Sequence, residues 1–99
     1  MASEIKDITI QYEEDETVVV KEIDKEILSK GAWTTILFRY QQLDPKTNEY
    51  GPDRYSIRRY RKMNNEYRQQ SKFTISSDQQ ARKIIETLQK WIGDPEEGE

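Results

Sequence analysis

The chain has 99 residues, a net charge of −3, 33% hydrophobic residues and 35% charged residues. This length gives room for one small domain with a thin core, and a thin core in a short chain favours an oligomer. The absence of cysteine and histidine excludes a disulfide framework, a thiolate zinc site, a thiol nucleophile and the commonest general base. No apolar run approaches the roughly 18 residues of a membrane span.

The N-terminal part, residues 1–26, is acidic, with nine acids and three lysines. Apolar residues alternate over 8–12 as in a short strand, and the acidic run 13–16 stops that pattern. Valines then restart a strand, and residues 24–30 either extend it or form a helical turn. We expect three parts: an acidic N-terminal segment with a short strand (1–16), a single β-sheet-plus-helix domain (17–93) and an acidic, disordered tail (94–99).

Residues 33–43 predict the next strand, because they are rich in β-branched and aromatic side chains. Apolar groups on both of its faces indicate a central strand, or a strand whose second face meets a ligand or partner. Residues 44–53 contain two prolines, a glycine and Asx residues and therefore predict a loop. The acids of this loop lack the spacing of a calcium-binding loop, so no metal site is predicted.

The basic segment Arg54–Lys72 carries seven cations and one anion, so its net charge is +6. Because the whole chain carries −3, the other 80 residues carry −9. Two strands, 54–63 and 66–75, are predicted with a turn at Asn64 and Asn65. We expect one face of this hairpin to be basic and the other to be apolar. The basic face is expected to hold Arg54, Ser56, Arg58, Tyr60, Lys62, Arg68, Gln70, Lys72 and Thr74. The other face is expected to hold Tyr55, Ile57, Tyr67, Gln69, Ser71, Phe73 and Ile75.

Residues 77–92 predict an amphipathic helix. Ser77 is the N-cap, Gln80 completes a capping box, and Gly93 marks the end. The apolar stripe is expected to cover one sheet face, with Phe73 and Trp91 in the core. The fold class is therefore α+β: a curved antiparallel sheet of about four strands followed by one amphipathic C-terminal helix, as a dimer.

Catalysis has little support in this sequence, since it lacks a glycine-rich phosphate loop, a nucleophile elbow and zinc spacing. We expect no enzyme, no cofactor and no small-molecule substrate. Alternating cations and aromatic rings on strands are instead typical of surfaces that bind single-stranded nucleic acid, DNA or RNA. The candidate nucleic-acid-binding residues are Arg39, Arg54, Arg58, Tyr60, Arg61, Lys62, Arg68 and Lys72.

Two alternatives to nucleic-acid binding fit the same charge pattern. The basic surface can be plainly solvated or neutralised by the acidic N-terminus, or it can dock an acidic protein partner. The sequence shows no signal peptide, and we expect a soluble, cytoplasmic protein without a membrane partner, associated with the nucleoid if the source is prokaryotic.

The C-terminal half resembles a known family. Its motifs are Ile57-Arg58-Arg59-Tyr60, a turn, Ser71-Lys72-Phe73-Thr74-Ile75-Ser76, and Asp78-Gln79 at the start of a helix. This order is similar to that of the C-terminal domain of the transcriptional coactivator positive cofactor four, with its Ile-Arg-Glu-Tyr strand, Lys-Gly-Ile-Ser-Leu strand and Glu-Gln helix start. The resemblance covers roughly 33–92 and departs from the family at Phe73, Thr74, Gln80 and the longer 44–53 loop.

The resemblance implies a curved antiparallel sheet of four strands followed by a helix. It also implies a homodimer that binds single-stranded DNA without sequence preference across its sheets, in a transcription cofactor or regulator. By position, Arg58 and Lys72 match the DNA-contacting arginine and lysine of the family. Arg61 falls where the family has an aromatic residue that stacks on bases.

Overall fold

The computed structural model describes residues 2–93, so the predicted tail, 94–99, lies outside the described residues. A 3₁₀ turn at Ile5–Asp7 precedes six strands and one helix. The strands are β1 (Tyr12–Glu14), β2 (Thr17–Ser29), β3 (Trp33–Asp44), β4 (Glu49–Tyr50), β5 (Arg54–Met63) and β6 (Glu66–Ile75), and the helix is α1 (Asp78–Ile92). The expected α+β class, a curled antiparallel sheet followed by one helix, is confirmed.

The sheet has the order β1-β2-β3-β5-β6, and β4 pairs with the end of β3. Its four long strands are the predicted ones, and β1 and β4 are short additions. Residues 24–29 continue β2, so this segment extends the strand and does not form the helical turn. The strand expected over 8–12 begins only at Tyr12, because Ile8 is buried against the sheet instead of pairing in it.

The two faces of the sheet follow from the pairing of β3 with β5, since residues directly opposite each other share a face. The inner face carries Thr34, Ile36, Phe38 and Tyr40 with their partners Tyr60, Arg58, Ser56 and Arg54. The outer face carries Trp33, Thr35, Leu37 and Arg39 with their partners Arg61, Arg59, Ile57 and Tyr55.

The core lies on the inner face, where Ile36 and Phe38 are fully buried. Residues 2–10, the N-terminal cover, cross this face and bury Ile8 among the core side chains. The cover is also held by hydrogen bonds: the Lys25 Nζ donates to the Lys6 carbonyl (2.9 Å), and the backbone N–H of Tyr67 donates to the Ala2 carbonyl (2.9 Å). The contacts between cover and sheet are therefore apolar packing and hydrogen bonds.

The predicted faces of the hairpin are wrong for the first part of β6, because this strand contains a β-bulge. Arg59 pairs with Ser71, but Tyr60 pairs with Gln69, so Gln70 is the extra residue. Side chains alternate along a strand, and one inserted residue reverses the face of everything beyond it. Tyr67 and Gln69 consequently lie on the inner face, where Tyr67 joins the core, and Arg68 lies on the outer face, opposite Arg61.

Helix α1 begins and ends as its capping residues predict. The Ser77 hydroxyl accepts a hydrogen bond from the Gln80 backbone N–H (3.0 Å), and the Gln80 side chain accepts one from the Ser76 backbone N–H (2.6 Å). Gly93 closes the helix at φ 85°, in the region that favours glycine. Within residues 2–93, no helix is both long and apolar enough to span a bilayer.

The prediction that the stripe of α1 covers a sheet face, with Phe73 and Trp91 in the core, is wrong for the single chain. Phe73 is 50% exposed and Trp91 is 75% exposed. Only the first half of the helix approaches the sheet, where Ala81 and Ile84 line an apolar cleft of about 430 Å³ together with Ile57. The second half leaves its apolar side chains in solvent.

Candidate nucleic-acid interface

The β5-β6 hairpin has a register fixed by its two-residue turn. Asn64 and Asn65 both take positive φ, 50° and 64°. Asparagine tolerates this conformation better than most residues, and turns of this kind match the twist of the flanking strands. The turn and the bulge at Gln70 together determine which cations of the basic segment share a face.

Two cations, Arg58 and Lys72, face each other on the inner face of the β5-β6 hairpin and form the centre of the candidate inner-face site. Arg58 lies directly opposite Lys72 in the register. The Arg58 guanidinium donates to the Ser56 hydroxyl (3.2 Å) and to the Gln69 side-chain carbonyl (3.0 Å), both uncharged groups. Since these contacts orient the guanidinium without neutralising it, its charge remains available to an anion.

The other inner-face candidates lie along the same hairpin. Arg54 is exposed opposite Tyr40, and the Lys62 Nζ lies 5.5 Å from the centre of the Tyr67 ring. Arg54, Arg58, Lys62 and Lys72 are the inner-face cations. The register thus brings four of the predicted residues to one side of two adjacent strands.

A groove of about 650 Å³ lies beside Arg58, between the N-terminal cover and the hairpin. The cover contributes one wall, and the hairpin contributes the other with Arg58 and the rings of Tyr60 and Tyr67. The groove residues are Ala2, Ser3, Asp7, Thr9, Ile10, Arg58, Tyr60, Tyr67, Arg68 and Gln69.

The inner-face cations form no ion pair with a carboxylate of residues 2–93. Across residues 2–93, side-chain ion pairs within 4.0 Å are limited to Arg39–Asp53 and Lys83–Glu86. The negative charge of the N-terminal part therefore does not neutralise the hairpin by direct contact within that range. Acidic Asp7 is the one carboxylate among the groove-lining residues.

Tyr60 is a buried core residue, and its burial was not predicted from the sequence. Its side chain is only 6% exposed and packs edge-on against Phe38, with ring centres 6.5 Å apart. Burial raises the pKa of the Tyr60 phenol above its ordinary value, and the nearby Arg58 charge opposes that rise. In this arrangement the ring supports the groove from below and offers no open face for stacking on a base.

Arg39 is placed apart from the inner-face cations. It lies on the outer face, and its Nε donates to an Asp53 carboxylate oxygen at 2.6 Å. The other Asp53 oxygen accepts from the Gln41 side chain at 2.8 Å. The bond to Asp53 raises the pKa of Arg39. This exposed ion pair ties the 44–53 loop to β3, which is a structural role.

A second basic group lies on the outer face around Trp33. The guanidinium carbons of Arg59 and Arg61 lie 4.5 Å and 5.4 Å from the centre of the indole ring, and Arg61 faces Arg68 across the hairpin. Arg61 and Arg68 are among the candidate residues predicted from the sequence, whereas Trp33 and Arg59 are not. The β3–β5 register brings Trp33 next to Arg59 and Arg61, and the bulge in β6 turns Arg68 to the same face.

Within the described range, no three acidic side chains come together as metal ligands would. Comparison of the chain with protein-family models, curated proteins and solved structures returns no match.

Proposed function

We propose that this protein binds single-stranded nucleic acid, without sequence preference, along the groove of the inner face. The observation that carries the proposal is that Lys72 lies opposite Arg58, the member of the pair that lines that groove, with no carboxylate of residues 2–93 within 4.0 Å of either. Like charges directly opposite each other on a sheet are destabilising. A phosphate between the two cations turns this repulsion into two attractions, because charge-assisted hydrogen bonds to phosphate are strong.

A single strand suits this surface better than an isolated anion. The inner-face cations follow two adjacent strands, so they match a ligand with several phosphates along its length. Uncharged hydrogen-bonding groups, Gln69 and Ser56, hold Arg58 in place. The four long strands followed by a helix are also the arrangement that the family resemblance implies, although a fold alone assigns no function.

The proposal includes a second copy of the chain as a partner. Most of the apolar stripe of α1 is exposed in the single chain, where Ile85, Leu88, Trp91 and Ile92 are 46–75% exposed. Contiguous apolar surface of this kind marks an association site in soluble proteins. A homodimer through α1 would supply the covering layer and place two nucleic-acid surfaces in one particle, consistent with a cytoplasmic transcription cofactor or regulator.

The experiment that tests the proposal compares two matched double variants of equal charge change. Arg58→Gln with Lys72→Gln removes the opposed pair, and Lys46→Gln with Lys83→Gln removes two cations away from the groove. We expect the first variant to bind labelled oligo-dT about tenfold more weakly at low salt, which corresponds to roughly 1.4 kcal/mol. The control variant should bind within about twofold of the parent, a difference below roughly 0.5 kcal/mol.

Thermal unfolding of both variants accompanies the binding measurement, because only a folded variant reports on the site. Equal affinity of the two double variants would contradict the inner-face site. A chain that binds no oligo-dT but retains acidic proteins from a lysate, whether or not the lysate is treated with nuclease, would favour the protein-interaction alternative.

A further inference from the structure

The outer patch comprises Trp33, Arg59, Arg61 and Arg68 and lies on the opposite face from the groove. Trp33 is 40% exposed, and the two guanidinium groups near its ring are arranged for cation–π attraction. An arginine that stacks on a ring keeps its N–H donors at the edge, where they can bind phosphate. The patch therefore combines an aromatic ring with several oriented cations.

The outer patch repeats the electrostatic arrangement of the inner-face site. Arg61 lies directly opposite Arg68, as Arg58 lies opposite Lys72. No carboxylate of residues 2–93 lies within 4.0 Å of either arginine. Each face of one hairpin thus holds a repelling pair of cations, and the two pairs are only three residues apart along β5.

Arg68 connects the two faces. Its register position places it on the outer face with Arg61, yet it also lines the inner-face groove with Arg58. Strand β6 is the last strand in the sheet order, so a long side chain on it can reach around the edge of the sheet. The described residues therefore form a cationic path from the groove, over the β6 edge, to the indole of Trp33.

From this path we infer that a bound single strand leaves the groove across the β6 edge and makes a second set of contacts with the outer patch. The inference rests on the proposed function and adds the course of the ligand to it. Phosphates on this course bind Arg68 and Arg61, and an unpaired base contacts the exposed part of the Trp33 ring. A short oligonucleotide fills the groove alone, whereas a longer one occupies both faces.

The length of the ligand provides the first test. Arg61→Gln with Arg68→Gln should weaken binding of an oligo-dT of about 16 nucleotides about tenfold, and binding of one of about 5 nucleotides less than about twofold, lengths that span the usual range for a sheet surface. Arg58→Gln with Lys72→Gln should weaken both. The variant Lys46→Gln with Lys83→Gln is again the control of equal charge change.

Tryptophan emission provides the second test, since the chain has two tryptophans, Trp33 and Trp91. In the Trp91→Phe protein, emission reports on Trp33 alone. We expect the long oligonucleotide to quench this emission and the short one to leave it unchanged at saturation, because a stacked base must contact the ring to quench it. The Trp33→Phe protein should show no quenching on the same addition.

The outcomes separate the path from the function. If the long oligonucleotide binds, depends on Arg58 and Lys72, and neither quenches Trp33 nor responds to the Arg61 and Arg68 changes, the path is overturned and the inner-face function stands. Equal loss for both lengths in the Arg61 and Arg68 variant would also overturn it. If the intact chain binds neither oligonucleotide, the proposed function fails and the path fails with it.

Discussion

Under the proposed function, Lys72 serves binding at a cost to stability. It is exposed and stands directly opposite Arg58, so repulsion acts on the folded chain in the absence of an anion. A cross-strand pair of this kind changes stability by roughly 0.2–1 kcal/mol. In the proposed complex, a phosphate between the two side chains would be attracted by both charges.

The change Lys72→Gln should therefore raise the unfolding midpoint of the protein without ligand. For a domain of this size we expect a rise of about 1–8 °C at low salt, from roughly 4–8 °C per kcal/mol. Thermal unfolding followed by circular dichroism checks this, with Lys46→Gln as the control. The gain should shrink as salt screens the repulsion. A lower midpoint for Lys72→Gln at low salt would show that the pair does not repel.

Asp53 gives a pH-dependent prediction. Its hydrogen bonds from Gln41 and Arg39 hold the pKa of the carboxyl below its ordinary value of 3.8. A carboxyl with a lowered folded pKa adds stability above its unfolded pKa, and that stability is lost as pH falls through the folded pKa. Asp53→Asn should lower the midpoint at neutral pH, and the difference should begin to shrink near pH 3.8 and close as pH falls through the lower folded pKa. A difference that stays constant from neutral pH to pH 3 would contradict the ion pair.

At the scale of the elements, the strands and the helix were predictable from local pattern, and the register was not. Asn64 and Asn65 predict the hairpin turn, because each acts through its immediate neighbours. Ser77, Gln80 and Gly93 predict the ends of α1 for the same reason. The bulge at Gln70 leaves no such signal, since polar residues fill both faces of β6 around it. The face of Arg68 depends on that bulge, whereas the contacts of Trp33 depend on the long-range pairing of β3 with β5.

Burial was the second property that the sequence alone could not provide. Phe73 and Trp91 sit on apolar stripes, which predicts a core position, yet they are exposed in the single chain. Conversely, Ile8 belongs to an acidic segment and is nearly completely buried. Both follow from tertiary placement: the N-terminal cover takes the inner face, and the second half of α1 extends beyond the sheet.

The exposed stripe of α1 gives a prediction for association. Ile85→Lys with Leu88→Lys places charges in the proposed dimer contact, whereas Gln89→Lys places a charge on the neighbouring polar surface of the same helix. Sedimentation equilibrium should show a dimer for the parent and for Gln89→Lys, and a monomer for the double variant. A parent protein that stays monomeric at the highest measured concentration would contradict the homodimer.

At the scale of the whole molecule, the chain is flat and extended. Its principal extents are 51 × 37 × 18 Å, and its radius of gyration, 15.9 Å, exceeds the roughly 13 Å of a compact domain of this length. The sheet is covered by residues 2–10 on the inner face and only in part by α1 on the outer face. This shape fits a protein that completes its packing with a second copy and presents a long charged surface.

Charge is also distributed at this scale. Nine of the 19 acids lie in residues 1–26, while the hairpin carries +6 and makes no ion pair within residues 2–93. A field of one sign over two adjacent strands attracts a polyanion and makes its binding dependent on salt.

The most direct measurement of the central claim is the affinity of the intact chain for labelled oligo-dT of about 16 nucleotides, across salt from about 50 to 200 mM. The four inner-face cations predict a slope of log K against log salt of about −3 or steeper, at about −0.7 per phosphate. Removal of Arg58 and Lys72 should make that slope shallower by about 1.4. A chain that fails to bind at about 100 µM in 50 mM salt, or whose affinity is independent of salt, would contradict single-strand binding on the inner face.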